Sequence, residues 1–331
     1  MKHWLAIDVS KLTLAVVLQI EGRKRADERE FNNDAAGHAR LAQWASERGA
    51  PLAQLTGVME ATGVYHEALA QWLHDRGCRV IVANPARVRD YARGIGLLHK
   101  SDKVDARALL RYGQQQADAL VAWTPPPPEI RTLRALYARL AAVQEDLQRE
   151  ENRRRQAQTS AQPTLVIDSL NSSVAHLQQE CQRLQQAIED HFDQYPPLKA
   201  QRKLLQSIPS VGPVSGDMLL CLLLSHRFTQ AREAAAFCGL IPRTCQSGTS
   251  VHRRGKLSKQ GDARLRAKLY MPAVVALKHN RQLRAIYDGL LKAGKPKLSA
   301  LCALMRRLVH IAFGILKHQT PYNPDLVGKV A

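Results

Sequence analysis

His3-Trp4-Leu5-Ala6-Ile7-Asp8 and, after a polar break, Leu12-Thr13-Leu14-Ala15-Val16-Val17-Leu18 open the chain as two neighbouring strand-like runs. A third strand is expected around Glu28-Arg29-Glu30-Phe31, then a helix over Ala35 to Arg48 that turns Leu41 and Trp44 inward. A strand through Val58-Met59 follows, then a helix from Tyr65 to Arg76 stopped by Gly77. The strand Arg79-Val80-Ile81-Val82-Ala83 ends at Asn84-Pro85.

Three successive strands followed by alternating helices and strands predict a ribonuclease-H-like α/β layer fold. Four acids punctuate it: Asp8, Glu60 in Val58-Met59-Glu60-Ala61-Thr62-Gly63, and Asp102 and Asp105 in Lys100-Ser101-Asp102-Lys103-Val104-Asp105. Apolar residues precede the first two, and an unpaired anion beside a buried strand is costly. Asp102 and Asp105, three apart, share one face of a following helix, so all four can converge. Carboxylate oxygens suit Mg²⁺, with Mn²⁺ as a substitute, and a metal pair can hold the attacking and leaving oxygens of a phosphodiester.

Charge points the same way. Of the net +19, residues 1–125 contribute +3 (17 Lys and Arg against 14 Asp and Glu) and residues 126–195 contribute −2 (8 against 10). Residues 196–331 contribute +18 (23 against 5). So dense a basic segment, without a basic amphipathic anchor or lipidation motif, suits DNA or RNA phosphate better than a membrane. The longest apolar run, Met218 to Leu224, is too short for a bilayer and no signal-peptide core follows Met1, so a cytoplasmic, nucleoid-associated protein is expected. Six scattered cysteines without a C-x-x-C pair suggest reduced thiols.

Pro125 to Pro128 reads as a stiff boundary. Beyond it, Leu133, Leu136, Leu140, Val143 and Leu147, then Val166, Leu170, Leu177, Leu184 and Ile188, recur at spacings of three, four or seven. Two long helices are expected, as a hairpin or an intermolecular coiled coil, with a solvated spacer as the plainer alternative. The reading is thus α/β plus α in three regions. Residues 1–125 form a metal-dependent catalytic domain, 126–198 a helical coiled-coil or oligomerisation region, and 199–331 a mainly α basic domain. In the last, Leu204 to Gly216 resembles a helix-hairpin-helix turn that brings backbone amides to phosphate, although any tight helix–helix turn uses Gly and Pro as well.

Residues Phe237 to Arg266 are expected to form an exposed, cation-rich loop open to phosphate. Ser247, between Gln246 and Gly248, is the leading nucleophile, with Arg243, Arg253, Arg254, Lys256 and Lys259 as phosphate contacts. Ser-Gly alone is ordinary turn chemistry. Ser250 is close enough to compete for the role.

Together these motifs resemble the transposases of the insertion sequence 110 family, which join a DEDD, RuvC-like domain to a C-terminal domain with an essential serine. The likeness spans nearly the whole chain and rests on Ile7-Asp8-Val9-Ser10-Lys11, Met59 to Gly63, Asn84-Pro85, Lys100 to Ala106, Ile208 to Pro213, Gly239-Leu240-Ile241-Pro242, Gln246-Ser247-Gly248 and Lys259-Gln260-Gly261-Asp262. It implies a recombinase that excises and integrates its element, with the four carboxylates on Mg²⁺ and the serine linked transiently to DNA phosphate. It also implies a structured noncoding guide RNA, while a homo-oligomer, dimer or tetramer, is expected of the helical middle. Two other readings stand beside it: a metal-only RuvC-like nuclease that uses water, and a noncatalytic nucleic-acid-binding scaffold. Helix capping and surface salt bridges could account for Asp102 and Asp105, but leave Asp8 and Glu60 unexplained.

Overall fold

The computed structural model describes residues 3–61, 63–97, 102–247 and 251–326, giving only the backbone at 102, 103, 244–247, 251–256 and 326. It contains two compact units, Met1–Pro125 and Pro126–Ala331.

The first unit is a five-stranded sheet between helices. Strands β1 (His3–Val9), β2 (Thr13–Gln19) and β3 (Asp27–Asn32) form an antiparallel meander. Helix α1 (Ala35–Glu47) then leads to β4 (Leu55–Glu60), and α2 (Glu67–His74) leads to β5 (Arg79–Ala83). Both later strands run parallel to β1, giving the order β3-β2-β1-β4-β5. The unit closes with α3 (Pro85–Gly94) and α4 (Asp102–Gln115). Helix α3 was not foreseen, because its polar sequence Pro85-Ala86-Arg87-Val88-Arg89-Asp90 buries only Val88; Asn84 caps it by accepting from Ala86 N–H at 2.8 Å.

Alternation along the strands sorts their side chains between two cores. Leu5, Ile7, Leu14, Leu18 and Met59 face α1 and α2, which contribute Leu41, Trp44, Leu69 and Leu73. Trp4, Ala6, Val17, Val58 and Ile81 face α4, which contributes Ala106, Leu109 and Leu110. Burial on both faces explains why β1 and β2 read as continuous apolar runs. Helix α4 comes closest at Gly113: a Cβ there would stand 2.9 Å from the Trp4 ring and 3.1 Å from Val58.

The second unit begins with α5 (Pro128–Thr159) and α6 (Thr164–Gln194), which pack along each other as an intramolecular hairpin. Ile130, Leu133, Leu140 and Val143 meet Cys181, Leu184, Ile188 and Phe192 in one core. That core continues through α7 (Pro196–Gln206), α8 (Pro213–Ser225) and α9 (Ala231–Phe237). It also takes in α11 (Tyr270–His279), α12 (Arg281–Lys292) and α13 (Lys297–His318), the short α10 (Ala263–Lys268) preceding them. Helix α8 is apolar nearly all round, as a helix enclosed by others must be. Among the described helices, α13 has the length and apolarity of a bilayer span, and Leu304, Leu308, Val309 and Ala312 on it lie in the protein core.

The cation-rich segment differs from the expected loop: β6 (Pro242–Ser247) and β7 (Val251–Leu257) pair antiparallel as a hairpin with an irregularity between Arg243 and Cys245. Backbone pairing rather than apolar alternation makes these strands, so Arg-Arg-Gly-Lys gave no period-two signal.

Candidate active site and nucleic-acid interface

Three of the four predicted acids reach one end and one face of the sheet. In the parallel β1–β4 pair, Ile7 is opposite Met59, so Asp8 and Glu60 follow side by side at the C-terminal ends of their strands. Both sit on the Trp4–Ala6–Val58 side, the face covered by α4. Helix α4 runs back along β1. Its Ala106 lines one cavity with Ala15, the residue paired with Asp8, and its Gly113 lies over Trp4. The N-terminal end of α4, with Asp105, therefore lies at the same end of the sheet as Asp8 and Glu60. All three residues are half-buried. Asp102 heads α4 one turn earlier on the same face, and its side chain lies outside the described part. Arg107 donates to Glu28 and ties α4 to the sheet edge.

The donor chemistry suits a hard cation: carboxylate oxygens alone, at strand ends, backed by apolar residues. Among the described residues no three His, Cys, Asp or Glu side chains lie close enough together to hold an ion.

Two loops border this end of the sheet, one following Asp8 and the other following Glu60. Asn33, just before α1, fastens both. Its backbone N–H donates to Leu12 O at 2.9 Å, and its side-chain amide donates to Ser10 O at 2.9 Å and Tyr65 O at 3.2 Å. Its Oδ1 lies 3.0 Å from His38 Nε2. Burial holds His38 below the ordinary imidazole range, which favours the neutral ring.

In the second unit, Ser247 is the last residue of β6. Its side chain and those of Arg253, Arg254 and Lys256 on β7 lie outside the described part, as does Ser250 entirely. Arg243 and Lys259 are exposed. The feet of the hairpin are stitched together: Ser258 N–H donates to Ile241 O at 2.8 Å, Lys259 N–H to Gly239 O at 3.3 Å and Asp262 N–H to Phe237 O at 3.2 Å. Arg266 Nη1 adds a bond to Cys238 O at 3.1 Å. Gly261 is indispensable to this closure, because a Cβ there would fall 2.2 Å from Phe237 O and 2.5 Å from Gly239 N. Cys238 and Leu240 anchor the feet in the core.

A polar network escaped the sequence reading. Asp217, 1% exposed within apolar α8, accepts from Arg202 at 2.7 and 2.8 Å and from the Tyr137 hydroxyl. Arg202 also binds Glu189 at 2.6 and 2.8 Å and lies over the Phe192 ring. Burial pushes the Asp217 carboxyl up, against the hydrogen bonds from Tyr137 and Arg202. The network cross-links α5, α6, α7 and α8, which is a structural task; a lone acid in a leucine-rich helix was its one sequence signal. Helices α7 and α8 themselves pack across Ser207–Gly212, the turn likened to a helix-hairpin-helix.

Comparison with known proteins identifies the family. Residues 5–163 match the DEDD transposase family of IS110, described as Transposase, and residues 202–288 match the family described as Transposase IS116/IS110/IS902. The DEDD class is in general metal-dependent. The pilin gene-inverting proteins of Moraxella lacunata and Moraxella bovis are each 28% identical over 295 residues, covering 88% of this chain and 89% of theirs. The insertion element IS110 43.6 kDa protein of Streptomyces coelicolor is 27% identical over 160 residues, 48% of this chain and 38% of its own. With family matches over residues 5–163 and 202–288 and pilin gene-inverting relatives along nearly its whole length, the chain belongs to the IS110 family of transposases and is a DNA recombinase.

Proposed function

We propose that the protein cuts and rejoins DNA through a serine–phosphate intermediate, with Asp8, Glu60, Asp102 and Asp105 as metal ligands and Ser247 as nucleophile. The observation that carries this reading is the gathering of Asp8, Glu60 and Asp105 at one end of a β3-β2-β1-β4-β5 sheet, within a chain of the DEDD transposase family. That strand order supports a ribonuclease-H or RuvC-like first unit. The four carboxylates would hold Mg²⁺, or Mn²⁺ in its place, which supplies Lewis-acid stabilisation of charge at the scissile phosphate.

The chain's own groups do the rest. The Ser247 oxygen bonds to phosphorus as the bond to the departing strand's sugar oxygen breaks, and the serine proton ends on that oxygen. A new strand end reverses the step, so phosphodiester bonds are conserved. Arg243, Arg253, Arg254, Lys256 and Lys259 hold the nucleic-acid backbone and offset developing charge. Residues 199–331 serve as the transposase domain and the α5–α6 hairpin as the contact of a homo-oligomer. A structured noncoding RNA supplies sequence choice by base pairing, which fits a protein whose excess charge favours backbones over base edges. The reaction belongs to chromosomal DNA in the cytoplasm.

The test is incubation of the full chain with element-end DNA, guide RNA and Mg²⁺, followed by denaturation. A covalent DNA–protein adduct on Ser247 is expected. Cleaved ends with no adduct would favour the water-using nuclease, and binding without cleavage would favour the scaffold.

A further inference from the structure

We propose that Leu12, Val64 and Tyr65 form an apolar rim beside the carboxylates that takes the nucleobases flanking the scissile phosphate and holds them out of the duplex stack. This inference rests on reading Asp8 and Glu60 as the end that handles DNA phosphate, and extends it to the substrate's conformation.

The three side chains are 71%, 70% and 44% exposed. Exposed apolar residues scattered singly are normal on any protein. Here the backbones that carry them are gathered. Leu12 lies in the loop that follows Asp8, and Val64 and Tyr65 lie in the loop that follows Glu60, while Asn33 binds Ser10 O, Leu12 O and Tyr65 O at 2.9, 2.9 and 3.2 Å. Three backbone oxygens from two loops thus meet one asparagine. The asparagine is itself held, since His38, 5% exposed, contacts its Oδ1 and Asp34 next to it caps α1. The backbone that carries the rim is therefore held in advance of any ligand, which lowers the ordering cost of binding.

Its chemistry selects what it meets. Phosphate oxygens would go to cations and to a carboxylate-held metal, whereas Leu12 and Val64 offer them no donor and Tyr65 offers one hydroxyl at the tip of an apolar ring. Base faces and sugar edges are the parts of a nucleic acid that such surfaces contact, by stacking or by wedging between base steps. Lys11, exposed next to Leu12, is placed to hold the adjoining backbone. Unstacking the flanking step would widen access to the phosphate from the carboxylate end.

The experiment uses full-length protein and an element-end duplex with 2-aminopurine on either side of the cleavage position. Wild type should raise 2-aminopurine fluorescence on binding. The triple variant Leu12→Ser/Val64→Ser/Tyr65→Ala should keep its melting temperature, lose that rise and cut about tenfold more slowly. A duplex mispaired at the flanking step, already unstacked, should restore the variant's rate. An unchanged fluorescence rise in the variant, or no recovery on mispaired DNA, overturns the proposal. So does an effect confined to oligomer mass in light scattering, which would make the rim a contact between copies of the chain. If wild type cuts without any rise, the rim falls and the catalytic reading stands; if fluorescence rises and no strand is cut, the rim stands and the catalytic reading falls.

Discussion

Strand β1 carries a candidate catalytic residue, Asp8, one place before its end and β6 carries another, Ser247, at its end, yet the two are held in opposite ways. β1 is central in its sheet, paired on both sides and covered on both faces, so Asp8 inherits its position from a packed core. β6 pairs with β7 alone, and the pair is fastened at its feet, from Phe237 to Ile241 and from Ser258 to Asp262. Carboxylates that share a metal must be placed relative to one another within tenths of an ångström, which a buried sheet register provides. A nucleophile needs only one line of approach to phosphorus. A hairpin with a rigid base suffices for that.

The largest effect expected is at the end of β6. Ser247→Ala should bind nucleic acid and metal as wild type does and lose strand exchange by on the order of 10⁴-fold or more, because the covalent step loses its attacking oxygen. Ser250→Ala should be much milder. Mass spectrometry of a nuclease-trimmed adduct checks the assignment: a nucleotide on Ser250 or Cys245 would refute it.

Next comes the end of β4. Glu60→Gln, or Asp102→Asn at the head of α4, should reduce strand exchange by about a thousandfold, as expected when charge stabilisation at the reacting phosphate is lost. Fold and most nucleic-acid binding should persist, and excess EDTA should reproduce the loss in wild type. Full activity in either variant, or in EDTA, would remove the metal from the mechanism.

The same contrast governs what the sequence revealed. Asp8 and Glu60 were legible because buried parallel strands must be apolar, and an acid interrupting such a run stands out. Asp102 and Asp105 were legible as a helical pair at a spacing of three. The β6–β7 hairpin was hidden, since its pairing is made by backbone groups that leave no pattern in Arg-Arg-Gly-Lys. Asn33 was hidden for a related reason: one amide fastens two distant loops, and Asn32-Asn33-Asp34 reads only as a helix start. Asp217 was visible as an acid in an apolar helix, but its partners Arg202 and Tyr137 lie 15 and 80 residues away.

A smaller, diagnostic effect is expected at the hairpin's base. In Gly261→Ala the new Cβ would press on Phe237 O and Gly239 N, backbone atoms that cannot move aside without parting the feet. The second unit should lose about 2 kcal/mol and adduct formation should fall about tenfold. All four tryptophans, Trp4, Trp44, Trp72 and Trp123, belong to the first unit, so the emission of the folded protein should not change. A shifted emission, or wild-type adduct yield, would show that the feet do not set the hairpin.

The mildest effects belong to the cations on and beside the hairpin. Each phosphate contact releases condensed counterions and adds about 0.9 to the slope of log affinity against log salt. Arg253→Ala/Arg254→Ala/Lys256→Ala should therefore lower that slope by about 3, and Arg243→Ala or Lys259→Ala by about 1 each. Arg243 and Lys259 are exposed, so truncation should cost little stability, and any loss of affinity should appear equally on every DNA sequence. The distinction from the carboxylate end is then measurable: Glu60→Gln should leave the salt slope in place while abolishing chemistry, whereas Arg243→Ala should lower the slope and spare most of the chemistry once DNA is saturating. A slope unchanged in all the cation variants would mean that the hairpin does not face phosphate, and would move the backbone grip to other lysines and arginines of residues 196–331.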